Sequence, residues 1–158
     1  MAKVLIGFMG AGKSTIAELL DSDYIDMDSV IAERIGMSIA DFFASKGEEA
    51  FRQIESQVLE ELLESNHVIS TGGGVVVSEK NRRLLAKHGE TVYLKAPFET
   101  LYERIGADTS NVRPLFVNNS KADFKAIFEG RQDWYEEASN IVVDVADKSP
   151  EAIIEVLR

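Results

Sequence analysis

Nine residues near the start, Gly7-Phe8-Met9-Gly10-Ala11-Gly12-Lys13-Ser14-Thr15, keep the spacing G-x-x-x-x-G-K-[ST] without a gap. Glycines let a backbone curl so that successive N–H groups point into one hollow. A helix starting there adds free N–H groups and a dipole that favours negative charge. This chemistry suits nucleotide phosphates, cradled by Gly10, Ala11, Gly12, Lys13, Ser14 and Thr15. Lys13 reaches the β- and γ-phosphates, and the Ser14 hydroxyl suits Mg2+. The cradle alone leaves ATPase, GTPase, kinase and nucleotide-sensing module open. The chain has no guanine-reading N-K-x-D. Small P-loop proteins with an arginine-bearing loop tend to move phosphate onto small molecules.

An acceptor needs other groups. Asp26-Met27-Asp28 lies where a second strand is predicted to end. Carboxylates at the carboxyl end of a parallel strand face the ligand crevice. One suits support of Mg2+ through water, and the other suits taking a proton from a hydroxyl. The competing reading of Asp28 is a helix N-cap before SVIAERI. Arg52 stands beside the apolar face of its helix, where a guanidinium fork suits a carboxylate. It can equally pair with Glu48 four residues earlier, and Glu55 can orient it.

Gly72, Gly73 and Gly74 end the HVIST strand and permit close backbone approach to a ligand; a flexible turn is the plain alternative. No aspartate closes that strand, so Asp26 is the remaining carboxylate for metal support. Arg113 sits in an irregular segment. An arginine on a closing loop neutralises charge on a transferring phosphoryl group. Arg131 is a second candidate for a carboxylate, or a partner for Asp133 or Glu129. His67 and His88 lack metal-ligand spacing and are expected to be structural or solvated.

The elements must bring these groups together. Strands are predicted over 3–8, 23–26, 67–71, 91–96 and 141–145. Helices are predicted over 13–20, 27–35, 38–45, 48–65, 78–88, 97–105 and 121–138, with a last one from Pro150. Residues 106–119 show no period and read as a functional loop. Alternating strands and helices imply a five-stranded parallel sheet covered on both faces. With 158 residues the chain is expected to form a single domain, 1–158. A net charge of −10 argues against a broad nucleic-acid surface. There is no cysteine, which fits a reducing compartment. The apolar VLIGFMGA is too short for a membrane span and runs straight into GKST, so a cytoplasmic location with no membrane partner is expected.

The whole set resembles the shikimate kinase family. The resemblance rests on GFMGAGKST, on D-x-D at 26–28, and on SIADFF with G-E-x-x-F-R-x-I-E at 47–55. It continues with TGGG at 71–74, V-R-P-L at 112–115, and Arg131 four residues before Tyr135. It implies the α/β P-loop kinase fold, a three-layer arrangement with a five-stranded parallel sheet of order 2-3-1-4-5. It also implies a substrate-binding region about 28–55 and a mobile lid about 106–119. The activity implied is transfer of the γ-phosphoryl of ATP to the 3-hydroxyl of shikimate, in the route to chorismate and the aromatic amino acids. By resemblance Asp28 contacts the reacting hydroxyls and is the base. Arg52 and Arg131 grip the shikimate carboxylate with backbone from the glycine turn. Lys13 and Arg113 stabilise the transferring phosphoryl, and Ser14 and Asp26 serve Mg2+. Arg104, Lys148 and Pro150 wall the adenine, and a monomer is expected. Eleven residues separate Ser14 from Asp26, about one helical turn fewer than the family pattern implies. Alternatives are another small-molecule kinase of the same fold, gluconate- or nucleotide-kinase-like, and a nucleotide-binding regulatory module without chemistry.

Overall fold

The structure, a computed structural model, describes residues 2–107 and 114–157. Five strands form one sheet: β1 Lys3–Ile6, β2 Ile25–Asp26, β3 Val68–Ser70, β4 Thr91–Lys95 and β5 Ile141–Asp144. Their order is β2-β3-β1-β4-β5 and every pairing is parallel. The order and direction are those implied by the family pattern. β1 holds the centre, and its Val4, Leu5 and Ile6 are fully buried, as a strand covered on both faces requires. β5 is an edge, so its Ile141 and Val142 remain exposed.

The helices are α1 Lys13–Leu20, α2 Met27–Ile35, α3 Ile39–Lys46, α4 Glu48–Leu63, α5 Glu79–His88, α6 Phe98–Ala107, α7 Pro114–Val117, α8 Lys121–Ala138 and α9 Pro150–Leu157. Their starts follow local chemistry. Ser38, Ser78 and Ser120 each accept a hydrogen bond from a backbone N–H three residues on, the usual first-turn cap. α2 ends at Gly36, whose φ of 70° lies in the left-handed region that glycine tolerates. α1 packs on α9, and α5 packs on α8.

The glycine-rich loop between β1 and α1 rests on aromatic rings. Phe8 meets Phe124 and Phe128 at centroid distances of 5.3 Å each. Such pairs add to the area they bury and hold α8 beneath the loop.

One expectation needs correction. Residues 106–119 are not one irregular loop. α6 runs on through Gly106 and Ala107, and the short α7 lies within the segment. Phe116 holds α7 in place by packing on Tyr102 and Phe124. Between the triple glycine and α5 lies a 3-10 turn, Val75–Val77, with Val75 and Val76 buried. The plain alternative for Asp28, a cap of α2, does not hold. Asp26 is the cap, accepting the Asp28 N–H at 3.1 Å, which leaves Asp28 in the first turn with its carboxylate free of that duty.

Candidate active site

The carboxyl ends of β1, β2 and β3 lie side by side, with Leu5 and Asp26 both in register with Ser70. Thr71 ties two of these ends together, its hydroxyl donating to the Leu5 carbonyl at 2.8 Å. The glycine-rich loop, Asp26 and the triple glycine therefore open into one region.

On the donor side, Gly12 precedes α1 with φ 88°, and Gly10 has φ 86°. Side chains rarely adopt either value, so the loop depends on glycine there. Lys13 Nζ donates to the carbonyls of Gly7 at 2.6 Å and Phe8 at 3.2 Å, lying across its own loop. Ser14 and Thr15 are exposed at the first turn of α1. The Ser14 hydroxyl stands 3.2 Å from that of Ser70. Ser70 occupies the strand end where an aspartate was looked for, and sequence reasoning passed it over. Its position one residue before TGGG was the available signal.

Beyond β3 the three glycines lie beside Asp28, Arg131 and Arg52. A methyl group built on Gly72 would lie 2.7 Å from Asp28 Oδ1. One on Gly74 would lie 2.9 Å from Arg52 Nη2. One on Gly73 would find ordinary contacts, 3.6 Å from Met9 N and 3.8 Å from Arg131 Nη1. Gly73 also accepts a hydrogen bond at its carbonyl from the Tyr135 hydroxyl. Tyr135 is fully buried one helical turn beyond Arg131 and stacks on Tyr93 at 5.1 Å. Burial pushes the Tyr135 hydroxyl well up, and Arg131 beside it pulls the other way.

Arg52 pairs with both of the glutamates expected beside it on its helix. Its Nη2 donates to Glu48 at 3.1 Å, the surface pair of the plain reading. Its Nη1 donates to Glu55 at 3.0 Å and to the Gly74 carbonyl at 2.9 Å. The guanidinium also lies over the rings of Phe51 at 5.3 Å and Phe43 at 5.8 Å. Glu55 is only 2% exposed, and burial pushes its carboxyl up to about 7 against the pull of Arg52 and Asn81.

Asp28 is half-buried, and its carboxyl is raised, first by burial and then by the neighbouring Asp26. Lys13 and Arg52 both pull it back down. Asp28 thus feels the Lys13 and Arg52 cations at once.

Arg104 reaches the loop only weakly, Nη1 to the Gly10 carbonyl at 3.4 Å. Lys148 Nζ bonds the Asp144 carbonyl at 3.0 Å, and Pro150 opens α9 just beyond it. Arg113 lies outside the described residues. His67 contacts Asp21 at 3.1 Å and His88 contacts the Ala2 carbonyl at 2.6 Å, the structural roles expected of them. Among the described residues no helix is long and apolar enough to cross a membrane.

Comparison with known proteins matches this arrangement. The family model described as Shikimate kinase fits residues 9–158. A curated shikimate kinase from Streptococcus gordonii is 52% identical over 159 residues, covering 100% of this chain and 99% of its own. The chain belongs to the shikimate kinase family. Two solved shikimate kinases share the architecture. That of Bacteroides thetaiotaomicron superposes with a TM-score of 0.87 at 27% identity, over 99% of this chain and 96% of its own. That of Acinetobacter baumannii, solved in complex with shikimate, gives 0.86 at 28% identity, over 99% of this chain and 89% of its own. Shikimate kinases are ATP-dependent phosphotransferases, so membership makes this chain a kinase.

Proposed function

We propose that this chain transfers the γ-phosphoryl group of ATP to the 3-hydroxyl of shikimate. The observation that carries the reading is the placing of Asp28. Its carboxylate abuts Gly72 and feels both Lys13 and Arg52. A hydroxyl held at Asp28 would stand between a phosphate cradle and a carboxylate grip.

Each residue then has a task. Gly10, Ala11, Gly12, Lys13, Ser14 and Thr15 hold the phosphates of ATP through backbone N–H groups and the Lys13 ammonium. Lys13 leaves its own loop carbonyls to do so. Arg52 and Arg131 fix the substrate carboxylate, helped by backbone of Gly73 or Gly74. Asp28 orients the hydroxyl and accepts its proton as the O–P bond forms. Its raised carboxyl makes it a better base than an exposed aspartate, with Lys13 and Arg52 pulling the other way. Arg104, Lys148 and Pro150 border the adenine, and the family pattern gives Arg113 the role of neutralising the transferred phosphoryl.

Mg2+ takes hard oxygen donors, keeps several waters and binds through few protein groups plus phosphate. The hydroxyls of Ser14 and Ser70 and the carboxylate of Asp26 fit that donor set. The ion there would neutralise phosphate charge. In this reading the chain acts as a monomer. A small-molecule reaction consuming ATP suits the cytoplasm, with neither nucleic acid nor membrane as partner.

Phosphorus NMR of the product tests the site of transfer. The phosphorus signal is expected to couple to the proton on C3 of the ring. Coupling to another ring proton, or no phosphorylated product, contradicts the assignment.

A further inference from the structure

We propose that Asn81 is a positioning residue for the substrate-carboxylate grip, its side-chain amide locking Glu55, and through it the Arg52 fork, to the turn that follows the three glycines. This rests on the reading of Arg52 as that grip.

Asn81 lies on α5 and is 0% exposed, an unusual place for an amide unless every polar atom is paired. All are. Its Nδ2 donates to Glu55 Oε1 at 3.2 Å and to the Val75 carbonyl at 3.0 Å. Its Oδ1 accepts from the buried Ser56 hydroxyl at 2.6 Å. The reverse amide orientation would face oxygen to two acceptors, so the network admits only this one.

Three separate segments meet at this amide. Glu55 and Ser56 come from α4, Asn81 from α5, and Val75 from the 3-10 turn. Arg52 donates to Glu55 and to the Gly74 carbonyl, which immediately precedes Val75. Arg52 and Asn81 therefore make parallel bonds to the same carboxylate and to neighbouring carbonyls. Arg52 can hold its fork toward a substrate only if Glu55 and the turn keep one spacing, and Asn81 sets that spacing. Val75 N also closes the turn by donating to the Gly72 carbonyl at 3.2 Å. The amide touches neither Asp28 nor the glycine-rich loop, so binding of the acceptor should suffer without the transfer step or ATP binding.

The test is steady-state kinetics of the purified chain with ATP and shikimate, comparing wild type, Asn81→Leu, Arg52→Lys and the double variant. Asn81→Leu is expected to raise the shikimate KM about tenfold, the size of a lost buried bond to a charged group. The kcat should stay within about threefold and the ATP KM should not move. Arg52→Lys should raise the shikimate KM as well, and the double variant should be no worse than Arg52→Lys alone. If Arg52→Lys raises KM while Asn81→Leu does not, or if the two effects simply multiply, Asn81 is only structural. If Arg52→Lys leaves KM unchanged, the grip reading itself fails and this inference falls with it. If Asn81→Leu does not fold, Ser56→Ala decides, since it frees the Asn81 amide from one side. A KM rise of about threefold that vanishes in the Arg52→Lys background supports the proposal. No rise, or one that persists there, overturns it.

Discussion

The Asp28 carboxylate occupies the space that a side chain on Gly72 would fill, with only 2.7 Å between Oδ1 and the place of a Cβ. Glycine at this position is a condition for Asp28 to point where it does. Gly72→Ala should push Asp28 aside and lower kcat by about tenfold or more. Gly73→Ala meets only ordinary contacts and should cost little. Equal damage from both substitutions would mean that the turn matters only as a flexible hinge.

Arg52 and Asp28 should fail in different ways. Arg52→Lys keeps the charge that Glu55 needs but loses the fork, so shikimate KM should rise with kcat little changed. Alanine is the poorer test, because it leaves the buried Glu55 without its ion pair. Asp28→Asn should mainly lower kcat at saturation. Titrations showing that both variants lose only ATP affinity would place the acceptor site elsewhere.

Glu48 holds the outer edge of Arg52 through an exposed pair between residues four apart. Such pairs are weak, about 0.3–0.5 kcal/mol. A substrate carboxylate taking that edge must displace Glu48, whereas the buried Glu55 stays. Glu48→Gln is therefore expected to lower the shikimate KM by about twofold. A higher KM would show that Glu48 helps to aim Arg52 instead of competing for it.

Glu55 gives a pH dependence to stability. Its carboxyl is raised from 4.5 to about 7 in the fold, so between those values the folded chain holds more protons than the unfolded one. Stability should therefore fall as pH rises from about 4.5 to about 7, by an amount on the order of 3 kcal/mol from this group. Asp28 is raised too and acts in the same direction. Glu55→Gln keeps the shape and an acceptor for Asn81, and should flatten the slope. Denaturant titrations across this range that show the same slope in wild type and variant would contradict it.

Most of the fold was legible because its signals are local. Short apolar runs alternate with helical spacing, and the helix starts at Ser38, Ser78 and Ser120 follow from side-chain caps. The stretch 106–119 was harder, since α7 is held by Phe116 against rings on α6 and α8 and not by a period of its own. Within the site, Lys13 stood out through the glycine-rich spacing, whereas Asp28, Arg52 and Arg131 each had a plain alternative and stood out only as part of the whole family pattern. Ser70 and Asn81 did not. Ser70 matters only because β3 lies beside β1 and meets Ser14. Asn81 reads as one polar residue in SEKNRRLLAKH, and its four-residue spacing from the buried Leu85 is the one trace of its place in the interior.

The most direct measurement is ADP release by the purified chain with ATP and Mg2+, tested over a small panel of hydroxy acids. The account predicts release that depends on shikimate and is far slower with quinate or gluconate. Equal turnover on those acids, or retained ATP binding with no turnover on any of them, would contradict it.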